Sequence, residues 1–163
     1  MIVFLVTFLS FLLEYLVNGF FHGTIFTGLI IFSSMILLEP YFKKNKERYF
    51  LYCFIVGVLY DIIYSGTYFM NAGLFLFIGV IVDYLNSVTP NNCLVSLLEL
   101  FILIALYRFV SFMFLYANGV VMFDGLVLLR SIYCSIIINL IYGFVLYFIL
   151  YLISLKFNIR RIN

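Results

Sequence analysis

Long apolar runs separated by short polar breaks fill this chain from one end to the other. A membrane-crossing helix needs about 20 predominantly apolar residues. Read against their punctuation, the runs predict six helices at about 2–21, 24–42, 49–64, 71–86, 93–116 and 126–155. Asn18, Gly19 and Gly23 end the first, and Glu39-Pro40 ends the second. The basic KKNKERY stretch separates the second from the third, SGTYFM the third from the fourth, Ser87 to Asn92 with Pro90 the fourth from the fifth, and ANGVVMFDG the fifth from the sixth. The expected architecture is therefore all-α: a single integral membrane domain over residues 1–163, built as a polytopic bundle of six transmembrane helices. Helices three and four are the shortest, so their ends are expected to be buried by neighbours. Helix two is expected to have a lipid-facing side.

Composition sharpens this picture. Of 163 residues, 67% are hydrophobic, 21% aromatic and 10% charged, whereas soluble domains are about 45–50% apolar and about 25% charged. Too little polar surface remains for a cytosolic enzyme, a nucleic-acid binder or a secreted toxin. The first run starts without Lys or Arg, exceeds a signal-peptide core in length and has no small-residue cleavage pattern, so it reads as a retained span. A net charge of +2 does not argue for a polyanionic partner.

Where the charges lie says more. Lys43, Lys44, Lys46 and Arg48 fall between helices two and three, and Lys156, Arg160 and Arg161 in or near the tail, together seven of nine basic residues. Basic loops stay cytoplasmic, so six spans place both termini in the cytoplasm. A five-span reading, with helix three or four re-entrant, puts the tail outside and breaks that bias.

Arg108 and Arg130 lie within helices five and six. At ~1.5 Å of rise per residue, they share a depth in the outer half of the bilayer with Glu14 and Asp61. Unpaired charges in hydrocarbon are costly, and depth matching predicts a neutral network of these four residues joining helices one, three, five and six. Such a network fixes helix register, serves partner recognition or carries ions. Glu39, Asp83 and Glu99 sit nearer the cytoplasmic face, within the range of Lys43, Lys44 and Lys156.

Small or polar residues also recur at helical spacing: Cys53, Gly57, Asp61 and Ser65 on helix three, Asn71, Gly79 and Asp83 on helix four, and Ser131, Ser135, Asn139 and Gly143 on helix six. Such faces let helices approach closely, inside the bundle or against a partner helix. The GxxxG from Gly19 to Gly23 lies at a helix end beside His22, the wrong context for a dimer motif. Cys53, Cys93 and Cys134 are scattered singly, and no clustered ligand spacing, HExxH, GxSxG or Walker sequence is found. No catalytic residue, metal site or cofactor is expected.

The segment FIVGVLYDIIYSGTYFMNAGLFLFIGVIVDYL resembles the signature region of the MreD family of rod shape-determining membrane proteins. Gly57, Tyr60-Asp61, Gly66, Asn71-Ala72 and Gly79 stand at the family's positions, while Phe69-Met70 replaces a common Leu-Gly. The resemblance implies a non-enzymatic, multi-pass scaffold of the bacterial inner membrane that serves cell-wall peptidoglycan elongation. It would bind the single-pass protein MreC and connect the MreB filament, indirectly, with a RodA-type glycosyltransferase and its transpeptidase. It also implies a fold similar to the six-helix substrate-binding component of energy-coupling-factor vitamin transporters, and that function is the alternative. Against the alternative, helix one offers Thr7, Ser10 and Glu14 rather than alanines at the coupling spacing, and GFFHG is too short to cap a ligand. A small channel or flippase, with Arg108 and Arg130 attracting an anionic head group, is a third reading. A nearly loopless bundle offers lipid-facing helices and short basic edges, so its partners are expected to be membrane proteins and membrane lipids, not nucleic acid.

Overall fold

A computed structural model of the protein describes residues 2–20, 28–42, 45–65, 69–90 and 92–156. The helices are α1 (Ile2–Phe20), α2 (Ile30–Leu38) continued by a 3-10 turn (Glu39–Phe42), α3 (Lys46–Tyr60) continued by a π turn (Asp61–Ser65), α4 (Met70–Val88), α5 (Cys93–Ala117) and α6 (Gly125–Lys156). There is no strand among the described residues. Four helices, α1, α4, α5 and α6, are long and apolar enough to cross a membrane. The second of the six expected helices is shorter than predicted: α2 with its 3-10 turn is only about 20 Å long against a hydrocarbon core of about 30 Å.

The short helix is the centre of the bundle. All nine residues of α2 are buried, and it packs against α1, α4, α5 and α6. Its expected lipid side does not exist. A helix that is apolar all round belongs inside other protein, and backbone that stops short of the membrane surface is tolerated where protein surrounds it. Phe32 of α2, Phe75 of α4 and Tyr107 of α5 meet there with ring centroids 5.0–5.8 Å apart, and Tyr60 of α3 joins Phe75 at 5.4 Å.

Three glycines allow the outer helices to close. A Cβ at Gly57 of α3 would lie 2.5 Å from the Ala72 Cα of α4, and one at Gly79 of α4 would lie 2.7 Å from Cys53 Sγ of α3. Across the second hairpin, a Cβ at Gly143 of α6 would lie 2.6 Å from Leu100 Cδ1 of α5. Small residues at helix crossings replace the hydrophobic drive that lipid cannot supply. Outward-facing side chains such as Phe4, Leu5, Phe8 and Tyr15 of α1 and Phe144 and Phe148 of α6 are exposed, as a surface solvated by acyl chains requires.

Candidate functional site

The interior holds a polar layer, and its logic is set by helix ends. The first N–H groups of a helix have no intrahelical partner, and the aligned peptide dipoles favour negative charge beside them. In lipid those groups must be satisfied by protein. α2 begins inside the bundle, and Leu29, its N-cap residue, has no side-chain acceptor. Two other helices supply the cap. The fully buried Glu14 of α1 accepts from Ile31 N–H through Oε2 at 2.8 Å, and Asn139 of α6 accepts from Leu29 N–H through Oδ1 at 3.0 Å. Ser33 Oγ also donates to Asn139 Oδ1, at 3.1 Å, while Asn139 Nδ2 donates to the Ser135 carbonyl at 2.6 Å. The amide is thereby held in one orientation.

Asp61 performs the same task for α4. Its Oδ1 accepts from the Asn71 N–H at 3.2 Å and from Asn71 Nδ2 at 2.8 Å, and its Oδ2 accepts from Ala72 N–H at 3.0 Å. Tyr107 OH of α5 donates to Asn71 Oδ1 at 2.6 Å, tying the hairpin to the next helix. Because Gly57 admits the α4 backbone one turn earlier on α3, Asp61 reaches that backbone directly. Phe69, immediately before α4, adopts φ +56, a left-handed conformation that disfavours a bulky side chain.

The four charges expected to form one network divide between the interior and the surface. Glu14 and Asp61 are buried, but both face helix N-termini. Arg108 lies within electrostatic reach of Glu14, and its Nε and Nη2 donate to Ser135 Oγ at 3.3 and 3.2 Å. Arg130 does not join them: it is exposed near the start of α6. Depth matching carries no information about the face of a helix, and Arg130 lies on an exposed one. The small-residue face of α6 divides likewise. Ser135, Asn139 and Gly143 are buried, while Ser131 is half-buried and bonds back to the Leu128 carbonyl.

Toward the other end, Lys46 Nζ lies 2.7 Å from Asp83 Oδ2, and the buried Glu99 accepts from Thr89 Oγ1 at 2.7 Å. The lysines expected beside Asp83 and Glu99 were Lys43, Lys44 and Lys156. Asp83 pairs with Lys46 across the α3–α4 seam, and Glu99 takes a hydroxyl. Arg48 is exposed. Lys43, Lys44, Gly66, Arg160 and Arg161, with His22 and Gly23, lie outside the described residues, as does the side chain of Lys156. Among the described residues no group of three His, Cys, Asp or Glu could hold a metal ion.

Tyrosine hydroxyls link helices, a role sequence reasoning missed. Tyr52 OH meets Thr7 Oγ1 at 2.7 Å, Tyr142 OH meets Ser10 Oγ at 2.8 Å, and Tyr64 OH donates to the Phe11 carbonyl at 2.9 Å, so α3 and α6 are both hydrogen-bonded to α1. Polar side chains crossing between helices act as glue in membranes. The signal was present: fourteen tyrosines in a chain of apolar spans exceed what the two membrane interfaces need.

No family model matches the chain, and no solved structure matches it. Among curated proteins, the chain is similar to the cell shape-determining protein MreD of Streptococcus pneumoniae. The two are 24% identical over 119 residues, which cover 72% of this chain and 73% of the relative. With four membrane-length helices and this similarity, the chain is a membrane protein with a distant relationship to MreD.

Proposed function

We propose that this protein is a non-enzymatic scaffold of the bacterial cell-shape machinery, and the similarity to MreD over nearly three quarters of both chains carries the reading. The architecture supports it. Much of the polar interior caps α2 and α4 or joins helices, which rigidifies the bundle. The exposed helix faces are apolar, so recognition takes place in the plane of the membrane. In this reading the whole chain is one membrane domain of the inner membrane, with both termini and the basic 43–48 segment cytoplasmic. Its partners are an MreC-like single-pass protein, a RodA-type glycosyltransferase and its transpeptidase, with the MreB filament reached indirectly.

Gentle solubilisation from the native membrane, followed by mass spectrometry of what co-purifies, tests this. A single-pass coiled-coil protein together with cell-wall synthases is the expected result. Recovery of paired ATPases with a coupling subunit would replace the scaffold by a vitamin transporter. A reporter fused after Asn163 should be active on the cytoplasmic side.

A further inference from the structure

Between α1 and α3 the outside of the bundle carries a groove of about 510 Å³. Phe4, Phe8 and Phe11 of α1 form one wall, and Tyr52, Ile55 and Leu59 of α3 the other. Its polar atoms are already consumed. Thr7 Oγ1 bonds both the Val3 carbonyl at 2.8 Å and Tyr52 OH at 2.7 Å, so what the trough presents is hydrocarbon. Phe8 is 58% exposed and Ile55 48%, so no other part of the described chain covers it.

One end of this trough is charged. Arg48, Tyr52, Ile55 and Leu59 are spaced by four, three and four residues, which puts them in one stripe along α3. Arg48 therefore stands at the mouth of the groove, one turn beyond Tyr52, and is exposed. Glu47 is turned about 100° away around the helix. From Arg48 to Leu59 the stripe runs about 16 Å along α3, or half of the about 30 Å hydrocarbon core. A spanning helix from a partner would overshoot that length twofold. One leaflet of lipid fits it.

We infer that the α1–α3 groove is a binding site for one anionic glycerophospholipid, with an acyl chain lying in the trough and the headgroup phosphate on Arg48. A zwitterionic lipid of the same chains offers the same hydrocarbon but no net charge to the arginine, so charge should separate the two. A cation near the membrane surface contributes roughly fivefold in affinity for anionic lipid.

Native mass spectrometry of the delipidated full chain, given phosphatidylglycerol or phosphatidylcholine with matched acyl chains, reads this directly. The expected result is one phosphatidylglycerol retained in preference to phosphatidylcholine. Arg48→Gln should lower that retention about fivefold, and Ile55→Trp, which fills the trough, should abolish retention of both lipids. Arg130→Gln, an exposed arginine on another helix, should leave it unchanged. Equal retention of the two lipids by the unaltered protein would overturn the proposal, as would wild-type retention by both groove variants. A photo-crosslinking amino acid at position 8 should give a lipid-mass adduct in cells. An adduct with a membrane protein would assign the groove to a partner helix instead.

Discussion

Adding one methyl group at Gly57 should be among the most damaging small changes this protein can suffer. The Cβ of Gly57→Ala would meet only backbone: Ala72 Cα at 2.5 Å, the Asn71 carbonyl oxygen at 2.8 Å and Ala72 N at 2.9 Å. Backbone cannot rotate away as a side chain can, so α4 must retreat by about 1 Å to restore ordinary contact distances. The same residues carry the cap. Asn71 N–H and Ala72 N–H donate to Asp61 at 3.2 and 3.0 Å, and a retreat of that size stretches both bonds past useful length. Overpacking costs about 1–3 kcal/mol, and weakening hydrogen bonds to a buried carboxylate adds about 1.5–3 kcal/mol. The expected loss is about 2.5–6 kcal/mol, read by reversible denaturant titration in mixed micelles. Gly19→Ala, in open space, is the matched control. A Gly57→Ala protein within about 0.5 kcal/mol of the wild type, the range of surface changes, would refute the claim that this crossing is closed by the glycine and latched by Asp61.

Other expectations follow from the same geometry. Gly79→Ala should cost less than Gly57→Ala in that titration, because its Cβ meets the Cys53 side chain rather than backbone, and Gly73→Ala, with nothing within 4 Å, should be neutral or stabilising. Glu14→Gln keeps an acceptor for the start of α2 while Glu14→Leu removes it; the leucine variant should lose about 1–3 kcal/mol more, and equal losses would mean that the cap is not what Glu14 supplies. Asp61→Leu should lower accumulation of the protein in the membrane, measured by quantitative immunoblot, because three donors of α4 lose their acceptor. Phe69→Gly should raise the melting temperature by releasing a left-handed residue that costs about 1 kcal/mol, and an unchanged or lower value would count against strain at that turn.

How much of this the sequence disclosed depends on which physical signal was in play. Helix existence followed from apolar runs and from breakers such as Pro90 and Gly119, and these are local. The place of α2 was hidden because uniform apolarity normally marks a buried helix, yet in a membrane chain every helix is apolar and the mark loses its contrast. Glu14, Asp61 and Arg108 were legible as interior groups, since hydrocarbon tolerates them nowhere else. Their partners were not, because a helix N-terminus leaves no residue type to read. Only a fold that brings Leu29 beneath Glu14 and Asn139 turns an apparent ion-pair acid into a cap. Gly57 and Gly79 were legible as a close face, and the tyrosine links were not, because a tyrosine in an apolar run looks the same whether its hydroxyl meets another helix or the membrane interface.

The cap on α2 also imposes an order on biogenesis. Its start is satisfied by a residue from α1, at hand as soon as the first hairpin is made, and by Asn139, which follows Leu29 by 110 positions. While the last helix is still being synthesised, the Leu29 amide has no Asn139 to bond, and α2 is too short to rest across the bilayer as a finished span. The bundle can close around α2 only when α6 arrives. A chain cut short before α6 would leave an open polar end at the centre of an otherwise apolar assembly, where lipid offers no substitute acceptor.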